Sequence, residues 1–285
     1  MSDHNTTIFA IATVISGALL LTSHPPFATG LAVAAAVFTM LWLLSLVLRN
    51  AGIVDVFWGL GFVVLGVFYL STTPAPATAR ALLVFALATI WAVRLALHIG
   101  VRNAGAGEDF RYRAWREQAG PSFWWVSLLK VFLLQAAVLW IVSSPLALAQ
   151  GEGPAAHLGA LDLVGLTLFV AGFLVEAVAD WQLARFKRDP DNAGRILRTG
   201  LWSRSRHPNY FGEAVLWWGL GLLSLPAGGA LSLIGPALLT FSLLRVSGVA
   251  MLDAALVYRR PGYADYIRST PAFFPRLLPK ATRHR

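Results

Sequence analysis

Apolar residues fill long stretches of the chain, at about Ile8–Thr22, Phe27–Leu48, Ile53–Ser71, Ala79–Val101, Phe123–Ala149, Leu158–Asp180, Tyr210–Leu225 and Ala230–Tyr258. Most reach the roughly 20 residues that a helix needs to cross bilayer hydrocarbon. The first and seventh are short, so the pattern predicts seven or eight spans of an all-α polytopic membrane protein. No repeat, low-complexity tract or soluble linker interrupts it, and residues 1–285 read as a single integral membrane domain. The N-terminus lacks the basic n-region and small-residue cleavage site of a secretory signal, so the first segment is expected to stay as an uncleaved helix.

Composition narrows the class. Of the 285 residues only 13% are charged and 57% are hydrophobic, with mean hydropathy +0.64. A soluble domain carries nearer a quarter charged residues, which excludes that class. The 11 Trp fit a protein anchored at bilayer interfaces. Absence of Cys excludes thiol catalysis, disulfides and thiolate metal sites, and no metal site is expected.

The formal charge of +9 would fit a nucleic-acid partner only on a soluble basic face, and here the basic residues lie between apolar runs. They gather after the fourth segment (Arg102, Arg111, Arg113, Arg116), after the sixth (Arg185, Lys187, Arg188, Arg195, Arg198, Arg204, Arg206) and in the tail (Arg259, Arg260, Arg268, Arg276, Lys280, Arg283, Arg285). These groups hold 18 of the 23 basic residues, and the connections Gln150–His157 and Pro226–Gly229 hold none. The positive-inside rule then puts the basic loops and the C-terminus in the cytoplasm.

An ionisable side chain at membrane depth costs at least ~2.5–3.5 kcal/mol on insertion scales, so each one needs a partner or a function. Asp55, Arg94, His98, Lys130, Glu176, Asp180, Glu213, Arg245 and Asp253 lie within or at the ends of apolar segments. Lys130 is expected to snorkel. Trp91, Arg94 and His98 fall at i, i+3 and i+7, on one helix face; Glu176, Asp180 and Lys187 form another stripe that leads toward the Arg-rich loop. Either stripe can be a structural ion network or a binding surface. Asp253 either pairs with Arg245 or serves the site.

The densest constellation runs from Thr199 through Arg204, Arg206, His207, Pro208, Asn209 and Tyr210 to Glu213. Pro208 biases His207 out of helix, so a helix should begin there with Asn209 as its cap and Glu213 one turn in. Its free N–H groups, flanked by Arg204, Arg206 and His207, read as an anion site at the membrane surface. The competing reading is a capped helix with snorkelling arginines.

The motifs Glu176-Ala-Val-Ala-Asp180-Trp-Gln182, Gly200-Leu201-Trp202, Arg206-His207-Pro208-Asn209-Tyr210-Phe211-Gly212-Glu213 and Tyr263…Tyr266…Phe274-Pro275 together resemble the C-terminal domain of the steroid 5-alpha-reductase family. Asp55-Val-Phe-Trp58-Gly59 and Glu108-Asp109-Phe-Arg111-Tyr112 resemble signatures of its bacterial branch, catalogued as a domain of unknown function. The resemblance covers roughly 50–280, with the N-terminal helices over 1–48 and the cofactor half over 158–280. It implies a seven-helix reductase-type bundle, with one extra N-terminal helix in the eight-span case. It also implies NADPH held in a pocket open to the cytoplasm, and a steroid or sterol-like enone entering from the bilayer lipids. Hydride goes to the beta carbon and a proton to the alpha carbon.

Carried over position by position, the resemblance implies cofactor roles for Arg94, His98, Asp180, Lys187, Arg195, Arg206, His207, Asn209, Tyr210 and Glu213. Asn209 and Glu213 match the nicotinamide end; Lys187 stands where the steroid enzymes have Arg, which keeps the charge and loses the bidentate fork. The carbonyl-polarising pair departs from the family: the Tyr position reads as Trp91, and the Glu has no aligned equal. Asp55 is the nearest acid and is expected, when desolvated, to donate to the carbonyl. The catalytic set is therefore Asp55, Trp91 and Glu213. Ala255 and Arg259 stand where the steroid enzymes have His and Tyr.

A His-Pro-x-Tyr-x-Gly element also occurs in membrane methyltransferases that use S-adenosylmethionine, the alternative reading. Seven basic residues between Arg185 and Arg206 favour a phosphate-bearing cofactor over a sulfonium. A transporter would show an inverted repeat, and none is seen; a scaffold would not need so many acids at membrane depth. No obligate protein partner is expected, and the branch implies a bacterial inner membrane.

Overall fold

The computed structural model describes residues 3–23, 25–73, 77–149, 157–246 and 248–276, and only the backbone of 3–6, 20–23 and 25. Lys280, Arg283, Arg285 and the connection at 150–156 lie outside these residues. All regular structure in the described residues is helical. The α-helices are α1 (Asp3–Ser23), α2 (Pro25–Leu48), α3 (Ile53–Thr72), α4 (Ala79–Asn103), α5 (Phe110–Ala119), α6 (Phe123–Ser127), α7 (Leu134–Val142), α8 (Ser144–Leu148), α9 (Ala160–Arg188), α10 (Pro208–Gly228), α11 (Ile234–Arg245), α12 (Val249–Arg259) and α13 (Tyr263–Ser269). A π-helical segment, Leu128–Leu133, joins α6 to α7 and carries the exposed Lys130.

Among the described residues, six helical stretches are long and apolar enough to cross a membrane, and Thr7–Leu19 is a shorter apolar helix. The chain is an all-α polytopic membrane protein. The sixth stretch, Pro208–Arg259, is 52 residues long, far beyond one crossing. It is broken by a 3-10 turn at Gly229–Leu233, and Trp218 Nε1 on α10 donates across that turn to Thr240 Oγ1 on α11 at 3.1 Å. The two helices therefore run antiparallel, as the seventh and eighth apolar segments of the sequence require.

Contacts sort into two units. The first comprises Met1–Ala12, Val164–Gly219 and Pro236–Arg285; the second comprises Thr13–Leu163 and Leu220–Gly235. In the second unit α3 packs on α2 and α4 around fully buried Phe38, Phe62, Leu65, Tyr69 and Trp91. Trp140 Nε1 donates to the Phe27 carbonyl at 2.7 Å, which satisfies an indole that would otherwise be buried unmet. Arg80, 1% exposed, makes a two-pronged bond to Asp162 at 2.8 Å and also donates to the His157 carbonyl. The pair neutralises a charge that could not stand alone in oil.

The first unit is organised by α9 and α10, whose backbones touch. Gly165 and Gly172 on α9 and Gly212 and Gly219 on α10 are each spaced by seven residues, two turns, so each pair lies on one face. A Cβ on Gly172 would lie 2.5 Å from Leu216 N and 2.6 Å from the Gly212 oxygen. One on Gly212 would meet Glu176 N and the Gly172 oxygen at 2.6 Å, and one on Gly219 would meet the Gly165 oxygen at 2.6 Å. In lipid, where helices gain no hydrophobic advantage by meeting, such small-residue seams let dispersion hold them together. The order of contacts makes α9 and α10 antiparallel and brings Glu176 and Asp180 beside the first turns of α10.

Gly172→Val should force the seam apart and destabilise the protein by roughly 1–3 kcal/mol, the usual penalty of overpacking. Gly100→Ala, in ordinary contact with Val56 only, should leave the melting temperature unchanged or raise it. Thermal unfolding of the two variants in detergent, followed by circular dichroism, checks both outcomes.

Candidate active site

The first unit collects most of the residues singled out in the sequence. α10 begins at Pro208, so Asn209 lies inside the first turn and is not the cap. Its side chain instead crosses the seam, and Nδ2 donates to Asp180 Oδ1 at 3.1 Å. That bond fixes the amide orientation and leaves Asn209 Oδ1 buried with no hydrogen-bond partner among the described residues. A buried unmet acceptor costs about 1–3 kcal/mol, so this oxygen marks a place built for an N–H donor. Glu213, 8% exposed, follows one turn later, and Glu176, 2% exposed, lies one turn before Asp180. Arg185, Lys187 and Arg188 are exposed in the last turn of α9, and Arg195 and Arg204 are exposed along the loop that follows.

The loop leading to α10 is held to α9 at two points. Gln182 Oε1 accepts from Leu201 N at 3.0 Å, and Trp202 Nε1 donates to the Ala179 carbonyl at 3.0 Å. Gly200 adopts φ +60, the left-handed region, with its α-carbon against the Gln182 amide, so a side chain there would meet both strain and a clash. The Gly-Leu-Trp motif is thus a clasp that delivers the chain to the Asn209 turn.

Arg206 and His207 do not hang free beside an anion site. Arg206 Nη2 bonds Asp253 Oδ2 at 2.6 Å, and its Nη1 donates to the carbonyls of Ile267 and Thr270. His207 Nε2–H donates to Asp253 Oδ1 at 2.9 Å, and its ring stacks on Tyr210 at 5.6 Å. Tyr263 Oη donates to the same Asp253 oxygen at 2.7 Å. Burial first, and then the Asp253 anion, push the Tyr263 hydroxyl above its ordinary value, so it stays a donor. Asp253 therefore does not pair with Arg245, which is exposed. It is the hub that ties α12 and α13 to the turn before α10. The Tyr-x-x-Tyr and Phe-Pro pattern completes this tie: Tyr266 Oη donates to the Trp202 carbonyl, Ser205 Oγ donates to Phe273 O at 2.9 Å, and Phe273 and Phe274 set their rings edge-on to Phe211.

In the second unit Asp55 is not a free acid. Arg111 Nη2 bonds its Oδ2 and Tyr112 Oη donates to its Oδ1, both at 2.6 Å. With both oxygens accepting, Asp55 anchors Arg111 and Tyr112 to the first turn of α3. Asp109 caps α5 by accepting from Arg111 N at 2.9 Å. Glu108 takes two bonds from Arg116 and one from Ala51 N. Burial raises the Glu108 carboxyl, but the Arg116 and Ala51 bonds outweigh it and hold the group below its ordinary value. The two signatures around Asp55 and Glu108 are thus halves of one clamp joining the start of α3 to the loop before α5. Trp91 is fully buried, edge-on to Trp58 and Phe62; Arg94 and His98 are half-buried along the same α4 face.

A family model described as "Protein of unknown function (DUF1295)" matches residues 41–270. The chain belongs to the DUF1295 family. This DUF1295 chain is 30% identical over 288 residues, 88% of its length and 80% of the other's, to an uncharacterized protein, C594.04c, of Schizosaccharomyces pombe. It is 39% identical over 62 residues to the steroid 5-alpha-reductase DET2 of Gossypium hirsutum, covering 22% of this chain and 24% of that one. It is 35% identical over 68 residues to 3-oxo-5-alpha-steroid 4-dehydrogenase 1 of Macaca fascicularis, 24% and 26% of the two chains. The likeness to these two reductases thus spans about a quarter of their length. It supports a related superfamily and does not extend to a bacterial branch; the full-length relative is from a yeast. No solved structure matches.

Two outcomes follow. Asp253→Ala leaves the buried Arg206 charge unmatched and should cost about 3–5 kcal/mol in thermal stability. For Glu108, whose ordinary value is 4.5, the depressed folded value means its contribution is fully present above that pH and is lost as pH falls through the lower folded value. The melting-temperature gap between wild type and Glu108→Gln should stay constant from pH 7 to 5 and close below pH 4.5.

Proposed function

We propose that this DUF1295 protein is an NADPH-dependent membrane reductase of the carbon–carbon double bond of a hydrophobic enone. The observation that carries the reading is Asn209: its amide is oriented by Asp180, and its oxygen is buried and unmet. A nicotinamide carboxamide offers the N–H donor that this oxygen lacks, so the residues present fit the group. The partial likeness to a steroid 5-alpha-reductase supports the same chemistry.

NADPH, when bound, supplies a hydride to the beta carbon, and the overall conversion is enone plus NADPH and a proton to saturated ketone and NADP+. Asn209 Oδ1 would accept from the carboxamide N–H and so help to hold the nicotinamide end. Asp180 keeps Asn209 from turning. Glu213, buried one turn on, would serve the nicotinamide end. Lys187 and Arg195, both exposed cations, would hold the phosphates. Arg206, His207 and Tyr210 act indirectly, by fixing the turn that presents Asn209. We place the basic loops on the cytoplasmic side, in a bacterial cell at the inner membrane, with the substrate, a steroid or sterol-like lipid, arriving from the bilayer.

Purified protein in detergent, titrated with NADPH, NADH and S-adenosylmethionine in thermal-shift experiments and then assayed for NADPH oxidation with a 3-oxo-4-ene steroid, tests this reading. Stabilisation by NADPH and turnover are expected. Asn209→Ala should weaken NADPH binding about tenfold, the worth of one buried hydrogen bond, Glu213→Ala should abolish turnover, and Arg204→Ala should change little. Stabilisation by S-adenosylmethionine alone would make the protein a methyltransferase instead.

A further inference from the structure

Arg49 follows the last residue of α2 in a conformation that its side chain does not favour. Among the described residues it is the one non-glycine with positive φ, +51. Helices often end on a residue in this left-handed region, and glycine is its usual occupant. Arg49 N bonds the Leu46 carbonyl at 3.3 Å and Asn50 N bonds the Ser45 carbonyl at 3.0 Å, so the backbone closes the helix whatever the side chain. Glycine would fit this turn with less strain. The guanidinium is exposed and makes no hydrogen bond or ion pair among the described residues, so it adds no bond to the fold.

The surroundings of Arg49, all within the second unit, are apolar on one side and basic on the other. Leu43, Leu44 and Val47, in the last turns of α2, are exposed, on a helix long and apolar enough to cross a membrane. Two residues after Arg49, Ala51 N donates to Glu108 Oε1 at 2.8 Å, and Arg113 Nη2 donates to the Glu108 carbonyl at 3.2 Å. The Glu108 carboxylate is taken by Arg116. Arg113 and Glu117, one turn later, are both exposed and form no ion pair among the described residues. Trp42, two turns before Arg49, donates Nε1 to the Trp124 carbonyl at 2.8 Å, and Trp124 and Trp125 are exposed. Exposed tryptophans at the start of an apolar helix mark the level of the lipid headgroups.

A soluble anion has no use for the exposed leucines and tryptophans, whereas a phospholipid meets both these and the cations. We infer that Arg49 and Arg113 bind the phosphate of an anionic phospholipid whose acyl chains lie along Leu43, Leu44 and Val47. Guanidinium forks match phosphate oxygens in paired, charge-assisted bonds, and each basic residue gains more from an anionic headgroup than from a zwitterionic one. The strained turn is retained because glycine, which fits it better, has no cation to offer. The site stands apart from the reductase reading.

Purified full-length protein in a nonionic detergent, titrated with phosphatidylglycerol, with phosphatidylcholine of the same chains or with inorganic phosphate, tests this. Native mass spectrometry counts bound lipid, and circular dichroism follows melting. Wild type should bind phosphatidylglycerol roughly thirtyfold more tightly than phosphatidylcholine, the worth of two basic residues at an anionic surface, and should not respond to phosphate. Arg49→Gly should move the two readouts in opposite directions: a higher melting temperature without lipid, because the turn relaxes, and an about fivefold loss of phosphatidylglycerol affinity. Arg113→Gln should lose about fivefold as well, Arg49→Lys should keep most of the preference, and Arg204→Gln, on an exposed residue of the first unit, should keep all of it. Equal binding of the two lipids by wild type, or an unchanged preference in either Arg49→Gly or Arg113→Gln, overturns the inference. So does an equal loss in Arg204→Gln, which would reduce the effect to general surface charge, or a lower melting temperature in Arg49→Gly, which would give the side chain a structural role. Stabilisation by phosphate as strong as by phosphatidylglycerol would make this a free-anion site and overturn the lipid assignment.

Discussion

The backbone contact between α9 and α10 is what the rest of the first unit's geometry depends on. Four glycines at seven-residue spacing remove the side chains that would keep the helices apart, and the antiparallel register that results fixes which residues face each other. Asp180 meets Asn209 because Gly172 meets Gly212. A seam of larger residues would separate the helices by several ångströms, and a 3.1 Å bond between two short side chains does not survive such a shift.

Within each unit the polar residues hold turns in place. Arg206, His207 and Tyr263 all bond to Asp253, and Arg206 also donates to backbone carbonyls, and so they keep the turn before α10 rigid. Asp55, Arg111, Glu108 and Arg116 do the same for the start of α3. Asn209 differs in kind: Asp180 orients its amide, and its oxygen is buried with no hydrogen-bond partner among the described residues.

Much of the architecture was legible in the chain because membrane helices announce themselves by length and hydropathy, and the basic loops by charge. The stripe of Glu176 and Asp180 and the turn at Pro208 pointed to the site where Asn209 and Asp180 meet. Other features were hidden for physical reasons. Two basic residues before a proline read the same whether they face a phosphate or an aspartate 46 and 47 positions later, so Arg206 and His207 looked like anion ligands until Asp253 was seen between them. The glycine seam was diluted among 25 glycines. Asp55 looked like an acid in search of a proton acceptor because its partners, Arg111 and Tyr112, lie on another helix.

The central claim is that the α9–α10 seam presents Asn209 Oδ1 to the nicotinamide of NADPH. A cryo-electron microscopy structure of the NADPH-bound protein in a nanodisc tests it most directly. The account predicts the carboxamide nitrogen within hydrogen-bond distance of Asn209 Oδ1, Asp180 still bonded to Asn209 Nδ2, and the Gly172 and Gly212 backbones in contact. Density for the cofactor away from this turn, or helices parted at the glycines with Asn209 turned to solvent, would contradict it.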